Sequence, residues 1–207
     1  MFDLENPGAS DVLIVIDPQV DFCPGGALAV PGGDEPMGLI NALAERFAHV
    51  VLTQDWHPPG HISFASSHGA EPFSTTALPY GEQVLWPDHC VQGQVGAAFH
   101  PAIERGALVR AELILRKGYH PTVDSYSAFF ENDRSTCTGL SGYLRERGLR
   151  RCVFVGLAQD YCVRYSAEDA LAGGFEAIVV ADATRAIDPA GGTAALQSLG
   201  AKGALII

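Results

Sequence analysis

Three residues of the chain invite a covalent chemistry. Cys162 lies one short turn beyond an apolar run, in Gly156-Leu157-Ala158-Gln159-Asp160-Tyr161-Cys162. A cysteine at the first turn of a helix meets free N–H groups and the positive end of the helix dipole, which lower a thiol pKa and favour a thiolate nucleophile. Asp17 ends a second apolar run, and Lys117, one of two lysines beside Lys202, ends a third. Lysine is a compact charge whose pKa moves on burial, so beside Asp17 and Cys162 it would hold the carboxylate and favour the thiolate. Taken singly, each residue also has a plain reading: an inert core thiol, a capping or solvated acid, a snorkelling lysine. Cys137 and Cys152 read as structural or incidental.

A second group suits a metal. In Asp55-Trp56-His57 a carboxylate and an imidazole stand two residues apart, and on a strand that spacing points both to one side. His89, in Trp86-Pro87-Asp88-His89-Cys90, would complete an Asp/His/His set with open positions, as in catalytic zinc sites and N/O sites for divalent iron or manganese. His61, four beyond His57, is an extra or outer candidate. Solvated loop histidines are the ordinary alternative. Phe22, Trp86 and Tyr126 lie near these groups in sequence and could sandwich a flat uncharged ring, or pack as core or lid.

Six short apolar segments must position these residues: 12–16, 49–53, 112–116, 151–156, 176–181 and 203–207. Each is rich in β-branched residues or Leu and bounded by polar or Gly/Pro punctuation, the pattern of strands buried on both faces. Helix-like stretches at 36–47, 140–147, 161–172 and 188–199 alternate with them, the third stopped by Gly173-Gly174. The expectation is a three-layer α/β/α fold with a six-stranded, mostly parallel sheet. Ligands of such sheets bind beyond the carboxyl ends of the strands, where strand order reverses, and Asp17, Asp55, Lys117 and the turn before Cys162 all fall at strand ends. Residues 55–101 read as a loop insertion bearing the metal set, since so long a connection in a compact domain is usually functional.

Against roughly 150 residues per domain, 207 residues predict a single domain over 1–207. Hydrophobic residues at 47% and charged residues at 18% exclude a disordered or disulfide-dense chain. The net charge of −11 repels phosphate backbones and anionic lipid, which argues against nucleic-acid and membrane partners. No apolar run approaches the ~20 residues of a membrane helix. Five cysteines without a C-x-x-C pair point to a reducing, cytoplasmic setting. Homo-oligomerisation is open at this level.

Several blocks together resemble one family. They are Ile16-Asp17-Pro18-Gln19-Val20-Asp21-Phe22-Cys23, Gln54-Asp55-Trp56-His57-Pro58, Trp86-Pro87-Asp88-His89-Cys90-Val91, Arg116-Lys117-Gly118, Asp124-Ser125-Tyr126-Ser127-Ala128-Phe129 and the 156–163 segment. In this order they resemble the nicotinamidases of the isochorismatase-like cysteine hydrolases. The resemblance implies a triad of Asp17, Lys117 and Cys162, and one divalent metal, zinc first with iron or manganese next, on Asp55, His57 and His89. It also implies a cis peptide before Ala158, with the N–H groups of Ala158 and Cys162 as an oxyanion hole. Nicotinamide, or its analogue pyrazinamide, would lie among Phe22, Trp86 and Tyr126 and be hydrolysed to the acid and ammonia, in NAD salvage. Pro18, Val20 and Gln159 depart from the usual pattern. Rival readings are an amidase for ureido or carbamoyl compounds working without metal, a binding protein that keeps the pocket without turnover, and a metal-water hydrolase with a spectator cysteine.

Overall fold

Val12, Leu13, Ile14, Val15 and Ile16 are all fully buried, so the first strand meets apolar matter on both faces. In the computed structural model, which describes residues 3–207, this strand, β1 (Asp11–Ile16), is flanked by β2 (His49–Asp55) and β6 (Arg151–Leu157). With β5 (Leu113–Lys117), β7 (Glu176–Arg185) and β8 (Leu205–Ile206) they form one six-stranded sheet in the order β5-β2-β1-β6-β7-β8. Every pairing within it is parallel. All six expected strands are present, and the sheet is wholly rather than mostly parallel.

Alternate residues of the sheet feed two separate cores, as a two-residue side-chain period requires. Leu13, Val15, Leu52, Val153 and Val155 pack with Met37, Ile40 and Leu43 of helix α1 (Met37–Ala44). Val12, Ile14, Ile16, Val51 and Phe154 pack on the other face. There they meet Leu140 and Leu144 of α3 (Leu140–Glu146), Ala167 and Ala170 of α4 (Arg164–Ala172) and Leu199 of α5 (Pro189–Ala201). Before α3 comes one short helix, α2 (Ala107–Arg110), that the apolar pattern does not signal. The start of α5 carries a cap: the Asp188 carboxylate accepts from Gly191 N–H at 2.8 Å, and Pro189 takes the first helical position. Helix α4 stops at Gly173, with Gly174 at φ +81°.

Two expectations need correction. Residues 55–101 are not all loop, because β3 (Thr75–Leu78) and β4 (Gly81–Val84) pair there as an antiparallel hairpin. Its strands have four residues each and mostly face solvent, so no apolar alternation marks them. The helix expected from residue 161 starts instead at Arg164, after a wide π-type turn over Gln159–Val163 in which Val163 N–H donates to Ala158 O at 3.1 Å.

From β1 the chain builds outward through β2 and β5, then returns to build the other way through β6, β7 and β8. Strand order therefore reverses between β1 and β6, where the carboxyl ends deliver Asp17 and Ala158. The two strands approach so closely there that a Cβ on Gly156, at φ +104°, would collide with the Ile16 carbonyl oxygen. Among the described residues no helix is long and apolar enough to cross a membrane.

Candidate active site

Strand register brings the first charges together. Asp55 and Lys117 are Cα partners at the ends of β2 and β5, so their side chains leave the sheet side by side. The Lys117 ammonium, 1% exposed, stands 3.0 Å from Asp55 Oδ1, 2.9 Å from Asp17 Oδ2 and 3.0 Å from the Ser125 carbonyl oxygen. Those three contacts match its three N–H bonds, and Cys162 Sγ lies 3.5 Å away. One buried cation thus joins two carboxylates and a thiol.

Asp17 is held in an uncommon backbone state. Its φ is +43°, a left-handed conformation that non-glycine residues adopt at a cost and that clusters at functional sites. Thr53, two residues before Asp55 and on the same side of β2, secures it twice. The Thr53 hydroxyl accepts from Asp17 N–H at 3.0 Å and donates to Asp17 Oδ1 at 2.6 Å. Oδ2 has only the Lys117 ion pair and, among the described residues, no further hydrogen-bond partner. Gln19 pins Asp55 likewise: its Oε1 accepts Asp55 N–H at 2.7 Å and its Nε2 donates to Asp55 O at 2.8 Å.

Burial sets the protonation of the group. It pushes the Asp17 carboxyl up against the pull of Lys117. Burial also works against the Lys117 ammonium, but Asp17 and Asp55 outweigh it and keep the lysine protonated. At Cys162 burial drives the thiol well up, opposed by Lys117 and reinforced by Asp17 and Asp55. Cys162 sits in the π-type turn that runs directly into α4, so it occupies the first turn of that helical segment, and burial there opposes the thiolate that this position and Lys117 favour.

The second group is equally buried. His57 Nδ1 donates to Gly118 O at 2.8 Å, and His89 Nδ1 donates to Pro87 O at 2.8 Å. Carbonyls only accept, so these bonds leave both Nε2 atoms facing Asp55 Oδ2, at 3.0 and 3.5 Å. Burial would raise the Asp55 carboxyl, but His57 and Lys117 together hold it well below the ordinary range. An ionised carboxylate and two imidazoles with tautomers set by carbonyls make a donor set that fits a divalent ion, and their ligand atoms all lie within 4.8 Å of one another. Gly118 must be glycine here: its φ is +66°, and a Cβ would strike the His57 ring and the Asp55 carboxylate.

His61 takes a different place. It stacks on His57 at 4.3 Å, its Nδ1 meets Ser63 Oγ at 2.7 Å, and its Nε2 meets His120 O at 3.0 Å. Both ring nitrogens are engaged, and burial with His57 alongside pushes its pKa down to about 4. His61 is therefore neutral packing behind His57 in this geometry, although with Asp124 and His57 it forms a second grouping of buried donors.

A narrow cavity connects the two groups. Cys162 and Ala158 open onto it from one side, Asp55, His57 and His89 from another. The Leu157–Ala158 peptide is cis. Phe22, Trp86 and Tyr126 all line the space, with Phe22 at 5.6 Å from the His89 ring and Trp86 edge-to-face with Tyr126 at 6.2 Å. Sequence reasoning missed Asp124 and Tyr161 as further lining, and Thr53, Gln19 and Ser125 as supports. Thr53 carried a signal, its two-residue spacing from Asp55; Ser125 carried none beyond its place next to Tyr126.

Residues 11–207 match the isochorismatase domain. The chain belongs to the isochorismatase family. Among curated relatives of this isochorismatase-family chain, the nicotinamidase of Acinetobacter baylyi is 55% identical over 177 residues, covering 85% of this chain and 81% of that protein. The nicotinamidase of Escherichia coli is 42% identical over 200 residues, covering 94% and 92%. Among solved structures, a nicotinamidase/pyrazinamidase of Acinetobacter baumanii superposes with a TM-score of 0.92 at 48% identity, covering 97% of this chain and 96% of that one. An L. infantum protein in complex with nicotinate gives 0.85 at 38%, covering 98% and 94%. The Pyrococcus horikoshii pyrazinamidase in complex with zinc gives 0.77 at 35%, covering 96% and 98%.

Proposed function

We propose that the protein is a nicotinamidase, a cysteine amidohydrolase converting nicotinamide to nicotinate and ammonia, with pyrazinamide as a further substrate. The observation that carries this reading is Lys117 Nζ within 3.5 Å of Asp17, Asp55 and Cys162, with Asp55 and Cys162 lining one small cavity that aromatic side chains also line. The relatives named nicotinamidase and the relative holding nicotinate support the substrate. A role in NAD salvage in the cytoplasm follows from the same reading.

The chemistry starts from neutral Cys162. As Sγ attacks the carboxamide carbon, Asp17 takes the thiol proton, and the carbonyl π electrons move to oxygen. That oxyanion is stabilised by the backbone N–H groups of Ala158 and Cys162, a contribution that reaches about 3 to 4 kcal/mol per donor in known cases. Asp17 then returns the proton to the amide nitrogen, the C–N bond breaks, and ammonia leaves a thioester. A water attacks the thioester carbon with Asp17 as base, the C–S bond breaks, and Cys162 regains its proton as nicotinate forms. Lys117 keeps Asp17 in place and offsets its charge. Phe22, Trp86 and Tyr126 hold the ring. Asp55, His57 and His89 would hold one divalent ion, zinc by the donor set and by the zinc-bound Pyrococcus horikoshii relative, and it would supply a Lewis acid for a pyridine nitrogen.

The test is ammonia release from nicotinamide by the purified protein, alongside Cys162→Ala and chelator-treated protein. Release that falls by at least about 10³-fold in the variant and needs the metal supports the reading. Full activity in Cys162→Ala would sink the covalent route, and no release by folded, metal-loaded protein would sink the substrate.

A further inference from the structure

The β3–β4 hairpin buries one polar side chain. Gln83 is 1% exposed, and its amide is fully engaged. Nε2 shares its two N–H bonds among three acceptors, the Tyr126 hydroxyl at 2.8 Å, Asp124 Oδ2 at 2.9 Å and the Val84 carbonyl oxygen at 2.8 Å. Oε1 accepts from the Tyr80 hydroxyl and from Asn132 Nδ2, each at 3.2 Å. Asn132 closes the network, accepting Tyr126 N–H at 3.0 Å through its side chain and donating its own N–H to Asp124 O at 2.7 Å.

Gln83 does not line the cavity, but Asp124 and Tyr126 both do. The Tyr126 oxygen also receives Trp86 Nε1–H at 3.3 Å. Two N–H groups approach that oxygen as donors, Gln83 Nε2 and Trp86 Nε1, so its own proton is directed away from them. Burial, with Asp124 adding to it, pushes the Tyr126 phenol well up, and the hydroxyl stays neutral with its proton in place. Gln83 thereby sets where the Tyr126 ring stands and which way its hydroxyl turns.

We propose that Gln83 is a positioning residue for the reaction, fixing through Tyr126 and Asp124 the cavity wall that receives the flat amide, and so acting on substrate affinity rather than on bond breaking. The proposal rests on the nicotinamidase reading, and it gives the hairpin a role in the site, since β4 carries the Gln83 amide that meets Tyr126 and Asp124. A buried amide that lost these partners, or a phenol that lost this donor, would rearrange the wall without touching Cys162, Asp17 or Lys117.

The experiment is a double-mutant cycle on nicotinamide with the full-length, metal-loaded protein: unaltered, Gln83→Met, Tyr126→Phe and both together. Gln83→Met should raise KM about tenfold, with kcat within about threefold, the size of one good hydrogen bond lost. Tyr126→Phe should do the same, and the double variant should bind no worse than Tyr126→Phe alone, because the two act as one unit. Gln83→Glu keeps the size and, assayed at a pH where its carboxyl is ionised beside Asp124, has no donor to offer, so it should follow Gln83→Met. A KM within about twofold of the unaltered protein in either Gln83 variant, or full additivity in the double variant, overturns the proposal. If Gln83→Met does not fold, Gln83→Glu and Tyr126→Phe decide by the same criteria. Hydrolysis by the unaltered protein tests the nicotinamidase reading separately. A readout without turnover is the emission of Trp86 in a Trp56→Phe background: it should shift alike in Gln83→Met and Tyr126→Phe, and an unshifted spectrum overturns the proposal even if nicotinamide is not the substrate.

Discussion

Lys117 shows what a single residue does when its whole surroundings are fixed. Its ammonium neutralises Asp17 and Asp55 at 2.9 and 3.0 Å with all three side chains out of water. Removing one partner of a buried charged set leaves the others uncompensated and costs about 3 to 5 kcal/mol. Lys117→Met should therefore lower unfolding free energy by that order in urea titration and abolish turnover. A variant as stable as the parent would show that the carboxylates had already shed a charge. Lys117→Arg should not rescue activity, since a planar fork cannot replace a point charge with three converging acceptors. Gly118 is a residue-scale requirement of another kind. Gly118→Ala forces a Cβ against His57 and Asp55 at a positive φ, so bound metal, measured by elemental analysis after dialysis, should drop well below that of the parent. Unchanged stoichiometry would count against Asp55 and His57 as ligands.

At the scale of elements, the site is a product of strand ends. Register between β2 and β5 pairs Asp55 with Lys117, and the reversal of strand order puts Asp17 beside the β6 exit. The residue that lets β1 and β6 close on each other is Gly156. Gly156→Ala would drive a methyl group into the Ile16 carbonyl, and strain of that kind costs several kcal/mol. Thermal unfolding should show a markedly lowered midpoint, and activity should fall with it because Asp17 follows Ile16 directly; an unchanged midpoint would mean that the strands can separate freely. The inner strands β1, β2 and β6 are legible in the sequence because they are apolar on both faces, whereas the edge strand β5 leaves Ile114 exposed and is marked only by its short apolar run. The β3–β4 hairpin is not legible, because its four-residue strands mix polar and apolar residues without alternation and its buried polar side chain, Gln83, gains its meaning only from Asp124 and Tyr126, which lie 41 and 43 residues further along the chain.

For the molecule as a whole, burial of thiols makes stability depend on alkaline pH. The Cys152 thiol is pushed up to about 12 by burial, against about 8.5 in an unfolded chain. Above that lower value the unfolded chain sheds the proton while the folded one keeps it, so the unfolded state binds fewer protons and stability falls as pH rises. The contribution is whole below about pH 8.5 and declines toward about pH 12, by at most about 1.4 kcal/mol per pH unit. Denaturant midpoints should fall over that range, and less steeply in Cys152→Ala; an identical slope would remove Cys152 as a source. The sequence by itself determined the strands, the parallel α/β class and the residue types at strand ends, because two-sided burial and Gly/Pro punctuation are local properties. Only tertiary structure decided that burial opposes ionisation of the Cys162 thiol, that His61 stacks on His57, and that Gln83 meets Asp124 and Tyr126. Those outcomes depend on the dielectric and the partners around each group, and both are set by segments distant in the chain.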